Sequence, residues 1–254
     1  MLVSVLASGS EGNCTYVETD DAKILIDAGM NLKYINEKLE GLGTSISEID
    51  YILMTHAHSD HVGALPNILK KYSPTLVVSE GIYEELEIIH GLDNIIIGDD
   101  KIISGKTVID NFKTSHDAKG SRGYIISDDN SSMVYMTDTG YLHQKYFNKL
   151  YNKTLYVIEA NHDVEMLING KYPKWLKSRI LSDRGHLSNN ACGFYLSKMI
   201  GPDTKKVVLA HLSKENNKPE VAVSTVLKTL KEYDIDFSEI EIAKQNEKTE
   251  NFSV

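Results

Sequence analysis

The chain has little cysteine and no long apolar run. Only Cys14 and Cys192 are cysteines among its 254 residues, which excludes the disulfide framework of a small secreted domain and predicts two reduced, buried thiols. No apolar stretch is long enough to span a bilayer. The opening segment, Met1–Leu6, is apolar but too short for a signal peptide and lacks its basic flank. We therefore expect a cytoplasmic protein with no membrane partner.

Basic residues are also scarce, since 27 lysines and arginines stand against 36 aspartates and glutamates, a net charge of −9. A basic surface is what most phosphate-binding proteins present, so the overall charge argues against one. The balance reverses in one segment, residues 171–186. Its charged residues other than histidine are five bases and one acid: Lys171, Lys174, Lys177, Arg179, Arg184 and Asp183. This segment could attract anions while the remaining surface stays acidic.

Three histidines and an aspartate fall within six positions of the run THAHSDHVG, residues 55–63. The run follows the apolar residues 49–54, which are typical of a buried strand. Ligands that leave a strand in a tight turn can point at two metal ions. The candidates are His56 and His58 for one ion, and Asp60 and His61 for the other. A histidine-rich surface loop, the alternative, does not account for this spacing after a strand.

The spacing resembles the His-x-His-x-Asp-His motif of the metallo-β-lactamase superfamily. Other segments resemble the remaining motifs of that family and follow one another in the same order. By this resemblance, Asp27 at the end of an early strand would support the ligand loop. Three later residues resemble the remaining ligands: His116, Asp138 and His211. The resemblance implies an α/β fold, an αββα sandwich. We expect one domain over residues 1–254, with the last few residues as a flexible tail.

The implied ligand set would hold two divalent metal ions. His56, His58 and His116 would bind the first, and Asp60, His61 and His211 the second, with Asp138 as the bridge. Two ions roughly 3.5–4 Å apart can share a hydroxide that serves as nucleophile near neutral pH. Nitrogen and oxygen donors of this kind accept zinc, manganese or iron, of which we favour zinc or manganese.

Two residues differ from those of other branches of the family, and each difference argues against one type of reaction. His58 stands where flavin-dependent di-iron members have glutamate, which argues against redox chemistry. Asp138 stands where lactam-cleaving enzymes have cysteine, which argues against antibiotic hydrolysis. Thioester hydrolases, lactonases and nucleases share the remaining ligands.

Two further residues resemble the acid and the histidine of tRNA 3′-processing and β-CASP nucleases. Glu159 ends the apolar run LYVIE, and His186 lies in SDRGHLSN. His186 could protonate the leaving alkoxide if Glu159 holds its ring and raises its pKa. A buried ion-pair partner and a helix-start residue are the alternatives for the two positions. Asp60 is a third candidate catalytic residue, beside Glu159 and His186. The short intervals between these motifs exclude a β-CASP insertion.

Outside the ligand motifs, residues 7–14, the segment around Glu159, residues 172–186 and residues 209–217 resemble the small YycJ (WalJ) branch of the superfamily. This resemblance covers nearly the whole chain. Proteins of that branch resemble bacterial cytoplasmic exonucleases that degrade double-stranded DNA from 5′ ends, with links to DNA repair. The resemblance implies a dinuclear, metal-dependent phosphodiesterase with nucleic acid, DNA before RNA, as its partner. Hydrolysis of a small ester, lactone or thioester, as in glyoxalase II, stays open, as does RNA cleavage. A metal-binding scaffold without catalytic activity is a third hypothesis.

For a phosphodiester substrate, the basic segment supplies candidate phosphate contacts: Arg184, Lys177 and Arg179. Of these three we favour Arg184, because its planar guanidinium group can donate two hydrogen bonds to a phosphate. It also lies two residues before His186. Tyr172 and Trp175 could either stack on a terminal base or anchor the loop to the core.

Residue patterns predict two similar α/β halves. Helices are expected at residues 31–42, 62–72 and 81–89 in the first half, and at 190–200 and 219–233 in the second. Strands are expected at residues 74–78, 95–97, 101–103 and 107–113, and then at 124–127, 133–136, 155–159 and 206–209.

Overall fold

The computed structural model describes residues 1–253, which form two seven-stranded sheets. In chain order the strands are β1 (Leu2–Ala7), β2 (Cys14–Glu18), β3 (Lys23–Ile26), β4 (Tyr51–Leu53), β5 (Thr75–Val78), β6 (Ile95–Ile97), β7 (Ile102–Ser104), β8 (Thr107–Lys113), β9 (Arg122–Ser127), β10 (Ser132–Met136), β11 (Leu155–Glu159), β12 (Lys206–Ala210), β13 (Ile240–Ile242) and β14 (Phe252–Ser253). The helices are α1 (Leu32–Glu40), α2 (Ser59–Val62), α3 (Leu65–Leu69), α4 (Glu80–Glu85), α5 (Phe147–Leu150), α6 (Val164–Asn169), α7 (Lys174–Ile180), α8 (Asn189–Met199) and α9 (Pro219–Glu232).

The two sheets share one plan. The first has the order β14-β1-β2-β3-β4-β5-β6 and the second the order β13-β12-β11-β10-β9-β8-β7. Strands β3 to β6 are parallel in the first sheet, and β10 to β13 are parallel in the second. The prediction that β7 and β8 belong to the first α/β half was wrong, because both strands lie in the second sheet. Carboxyl ends of parallel strands meet at one edge of a sheet, where sites of α/β proteins form.

Apolar side chains fill three layers. One core lies between the sheets, where Ile24 and Leu53 of the first contact a cluster that includes Ile126 and Val157 of the second. A second core packs α1, α3 and α4 on the first sheet, and a third packs α8 and α9 on the second. The predicted αββα sandwich is therefore confirmed. Cys14 and Cys192 are free thiols with no exposed surface, as predicted.

Three local expectations were wrong. The helix expected at residues 62–72 is shorter, because α2 ends at Val62 and α3 covers only Leu65–Leu69. Pro66 lies in the first turn of α3, where its missing amide hydrogen is tolerated. The helix expected at 81–89 ends at Glu85 and is followed by a single 3₁₀ turn. Residues 252–253 are not a tail, since they pair with β1 and Phe252 is buried. Val254 lies outside the described residues.

None of the helices in the described part of the chain combines the length and the apolar composition that a membrane span requires.

Candidate active site

The candidate site lies where strands from both sheets end. Asp27 follows β3, Asp138 follows β10 and His211 follows β12. All three adopt left-handed backbone angles, with φ of 60°, 53° and 55°. Such angles are unfavourable for residues other than glycine, by about 1–3 kcal/mol each, and persist only where surrounding contacts impose them. The fold therefore holds these three side chains in place against the local preference of the backbone.

A close approach of two loops fixes the ligand turn. A Cβ atom at Gly29 would lie 1.7 Å from the carbonyl oxygen of Asp60, so only glycine fits there. The amide of Asn13 donates to the same oxygen at 2.8 Å, and the amide of Ala28 donates to the carbonyl of His61 at 2.8 Å. The backbone of the histidine-rich turn is thus fixed from the side of β3.

All seven residues predicted as ligands converge in the structure. Within each of three groups, one donor atom of every residue lies within 4.8 Å of those of the others. The groups are His56, His58 and His116; Asp60, His61 and His211; and His56, His61 and Asp138.

Two buried atoms at the centre of this cluster have no hydrogen-bond partner, the Oδ2 of Asp138 and the Nε2 of His211. Unsatisfied buried polar atoms are costly and rare. The Oδ2 of Asp138 lies 3.4 Å from the Nε2 of His61, and its Oδ1 lies 3.5 Å from the Nε2 of His211. Imidazole and carboxylate donors directed at shared points suit divalent cations such as zinc or manganese. The residues therefore fit the metal ions that the sequence implies.

The pKa values of His56 and Asp138 agree with this arrangement. Burial lowers the pKa of His56 well below its ordinary value, which leaves the neutral ring that binds metal. Burial opposes ionisation of Asp138, but the neighbouring imidazoles of His211 and His61 outweigh it and hold the pKa of this carboxyl well below its usual range. Asp138 is therefore a carboxylate.

Asp27, predicted to support the ligand loop, contacts that loop from behind. Its side chain is fully buried, and its Oδ1 and Oδ2 accept hydrogen bonds from the amide and the hydroxyl of Thr55 at 2.8 and 2.7 Å. The Oδ2 also lies 2.7 Å from the Nδ1 of His61. Burial lowers the pKa of His61, but the Asp27 and Asp138 carboxylates outweigh it and raise that pKa to about 10. Asp27 thus fixes which ring nitrogen of His61 faces the cluster.

We expect Asp27→Asn to lower metal affinity about 10–100-fold, the usual effect of losing a group that orients a ligand. At saturating metal, kcat should stay within about threefold of the wild type, because Asp27 touches no reacting atom. Titration with a competing chelator, followed by assay in excess metal, measures both quantities. Asp234→Asn is the control, since Asp234 is exposed and has a similar φ of 57°. Full metal content with lost turnover would contradict the supporting role.

Sequence reasoning missed three side chains that contact the ligands: Asn13, Asp117 and Asn161. The Nδ2 of Asn13 lies 3.0 Å from the Nε2 of His61, and that of Asn161 donates to the carbonyl of His211 at 2.9 Å. The Oδ1 of Asp117 lies 3.3 Å from the Nε2 of His116. Asn13 stands beside a glycine-rich turn and Asp117 beside a ligand, but neither position reveals such a contact.

Glu159 and His186 form the pair that the sequence indicated. The Nδ1 of His186 lies 2.7 Å from the Oε1 of Glu159, and the Oε2 accepts from the amides of Thr139 and Leu187 at 3.1 and 3.0 Å. Burial would raise the pKa of Glu159, but His186 and His211 lower it to about 2. Burial also lowers the pKa of His186, but Glu159 outweighs it and raises that pKa. A fixed carboxylate therefore orients His186 and favours its protonated form.

An open cleft of about 320 Å³ borders His186 and His211. Tyr172 and Arg179 contribute to one wall, and residues 212–215 to another. Trp175 is not among the lining residues and is 69% exposed. Of the two aromatic candidates, Tyr172 alone faces this cleft.

The three predicted phosphate contacts already have partners within the protein. Lys177 donates to the carbonyls of Ile168 and Gly170 at 2.6 and 2.7 Å, which closes the end of α6. The Nε of Arg184 donates to the carbonyl of His116 at 3.3 Å. The Nε of Arg179 donates to Asp117 at 2.5 Å, and its side chain is 45% exposed. Arg179 alone of the three lines the cleft.

Comparisons with known proteins agree with this geometry. Residues 7–211 match the family model of the Metallo-beta-lactamase superfamily. Exodeoxyribonuclease WalJ of Streptococcus pneumoniae is 40% identical over 239 residues, which cover 91% of this chain and 89% of that protein. Exodeoxyribonuclease YycJ of Bacillus anthracis is 37% identical, covering 90% and 89%. The crystal structure of the metallo-beta-lactamase fold protein YhfI from Bacillus subtilis superposes with a TM-score of 0.71 at 16% identity, covering 98% of each chain.

Proposed function

Because this chain belongs to the metallo-β-lactamase superfamily, and within it to the YycJ-like branch of metal-dependent hydrolases, we propose that it is an exodeoxyribonuclease. We propose further that it removes nucleotides from the 5′ ends of double-stranded DNA, in the setting of DNA repair. The observation that carries the proposal is the Glu159–His186 pair, which borders both the ligand cluster and the open cleft. A phosphodiester expels a basic alkoxide, and such a leaving group must be protonated or bound to metal as it departs.

A side chain can be assigned to each part of the proposed reaction. Two divalent cations, when bound, would activate water and neutralise charge on the phosphate. His186 is the proposed proton donor, since Glu159 occupies its Nδ1 and leaves Nε2 as the other nitrogen. Asp60 is the proposed acceptor for the proton of the attacking water, because its carboxylate, 22% exposed, is the more accessible of the two acidic ligands. Hydrogen bonds from Thr139 and Leu187 keep Glu159 in place as the proton moves.

The open cleft supports a duplex substrate. Residues 1–253 form one sandwich, with no inserted domain over the ligand edge. A covered channel would favour a single strand, whereas an open edge leaves room for the width of a duplex. The overall charge of −9 is compatible with this, because the cations would add positive charge where the phosphate binds.

The test is hydrolysis of end-labelled double-stranded DNA, single-stranded DNA and RNA by chelator-stripped protein to which manganese or zinc is returned. We expect metal-dependent loss of nucleotides from the 5′ ends of the duplex, and slower or no loss from the other substrates. Cleavage from 3′ ends would contradict the polarity, and faster cleavage of RNA would contradict the substrate. If no nucleic acid were cleaved with any metal, hydrolysis of a small ester would become the better proposal.

A further inference from the structure

A second cleft, of about 260 Å³, continues the cleft beside His186 across the loop after β12. The two clefts share Leu212, Ser213 and Lys214 in their linings. Lys218, at the start of α9, and Lys244, after β13, line the second cleft only. We call it the lysine cleft. The shared residues place the lysine cleft directly beside the first cleft.

The charge of the lysine cleft is unusual for this molecule. Its ionisable lining residues are three lysines, Lys214, Lys218 and Lys244, and no carboxylate lines it. The cleft at the far end of α9 instead combines Lys231 with Asp234 and Asp236. In a protein of net charge −9, a concavity whose ionisable groups are all basic favours an anion.

The lysines are available to such an anion. Lys214 pairs with Glu11 and Lys244 with Glu247, whose side chains are 54% and 67% exposed. Ion pairs this exposed contribute little to stability, so a phosphate can replace the carboxylate. Lys218 is exposed and has no ion-pair partner among the described residues.

The loop that carries Lys214 and Lys218 is held rigidly next to the site. The Nδ2 of Asn217 donates to the carbonyls of Ala160 and Asn161 at 2.9 and 3.1 Å. The amide of Ser213 donates to the carbonyl of Asn161 at 2.8 Å. These contacts join the loop to the segment directly after Glu159. The lysine cleft therefore keeps a fixed position relative to His186, which reduces the entropy lost when a ligand binds.

We propose that the lysine cleft binds the phosphate backbone of the DNA duplex next to the scissile bond. This assignment rests on the proposed nuclease function, and it identifies where the uncleaved part of the substrate lies. Lysines track a backbone without reading sequence, so binding through the cleft is expected to be independent of base sequence and sensitive to salt.

The test compares metal-loaded wild type with the double variant Lys218→Ala/Lys244→Ala. Fluorescence anisotropy would measure binding of a short labelled duplex whose phosphorothioate ends resist hydrolysis. We expect affinity to fall about tenfold near 0.1 M salt, and the slope of log affinity against log salt to become smaller by about 2, one unit per lysine. Hydrolysis of bis(4-nitrophenyl) phosphate, which is too small to reach the cleft, should be unchanged and would show that the variant is folded.

Lys231→Ala is the matched control, because Lys231 is also exposed and lies on the same helix at its opposite end. Unchanged duplex affinity in the double variant, an equal loss in Lys231→Ala, or no duplex binding by the wild type would each overturn the assignment. Failure of the nuclease proposal is recognised separately, as duplex binding that depends on the two lysines in a protein that cleaves no DNA.

Discussion

Replacing His186 with alanine should lower kcat for duplex DNA by roughly 10²–10⁴-fold, the range that a positioned general acid contributes. The Nδ1 of His186 is held 2.7 Å from the Oε1 of Glu159, and the ring borders the cleft. The Nδ1 of His211 lies 3.2 Å from the same oxygen, but His211 is a candidate metal ligand, which leaves His186 as the proton donor. The same variant should hydrolyse bis(4-nitrophenyl) phosphate within about threefold of the wild-type rate, because 4-nitrophenolate leaves without a proton.

Comparing the two substrates separates a proton donor from a structural residue. Glu159→Gln serves as the intermediate case, since glutamine can still accept a bond from His186 but no longer favours its protonated form. Its loss of kcat for DNA should be smaller than that of His186→Ala. A histidine needed only for folding or metal retention would lower both activities equally, and that result would remove His186 from the mechanism. Metal content of His186→Ala, measured on the same samples, should be unchanged. Glu159→Gln is assayed in excess metal, because the Oε1 of Glu159 also lies 3.2 Å from the Nδ1 of His211.

The second large effect is expected for Asp138→Asn. Asp138 shares one group of candidate ligands with His56 and His61, and its Oδ1 lies 3.5 Å from the Nε2 of His211, so its carboxylate would bridge the two proposed ions. We expect the variant to lose at least one metal ion per chain, and its kcat to fall at least about 10³-fold because the remaining ion cannot provide the two-metal arrangement. Asparagine tolerates the left-handed backbone at this position, so the fold should survive.

Elemental analysis after dialysis, with thermal unfolding of the same samples, measures both effects. Asp234→Asn again supplies the control for the substitution and the backbone angle. A variant that keeps two ions per chain and normal turnover would show that Asp138 is not the bridge. An unfolded variant would show instead that the charge of Asp138 is needed for folding. Metal binding by Asp138→Glu, which keeps the charge, would then test whether a carboxylate at this position bridges the ions.

The sequence was most informative where the signal is local. His56, His58, Asp60 and His61 lie within one turn after one strand, so their spacing alone indicates a shared ligand position. His116, Asp138 and His211 are far apart in sequence, and only their order in the family motif connects them. The structure brings them together because each follows a strand at the same edge of the sandwich.

Contacts between distant loops could not be predicted in this way. Asn13 reaches His61 only because the turn after β1 packs against α2, and no pattern near Asn13 encodes that approach. Counting charged residues also failed to show which side chains are free to bind a phosphate. The basic segment at residues 171–186 was identified by counting, yet Lys177 and Arg184 face backbone carbonyls. Lys218 and Lys244, which are 26 positions apart, meet because β13 pairs with β12.

The pairing of β14 with β1 has a consequence for synthesis of the protein. Val3 pairs with Phe252, and the amide of Val5 donates to the hydroxyl of Thr249 at 3.0 Å. During translation, Val3 leaves the ribosome 249 residues before Phe252, its partner in the outer neighbour β14. Until then the first sheet has an unpaired edge, the kind of edge that recruits strands from other chains. Closing contacts so distant in sequence is also slow. The nascent protein therefore passes through a stage in which most of its ligand residues exist but its first sheet is incomplete.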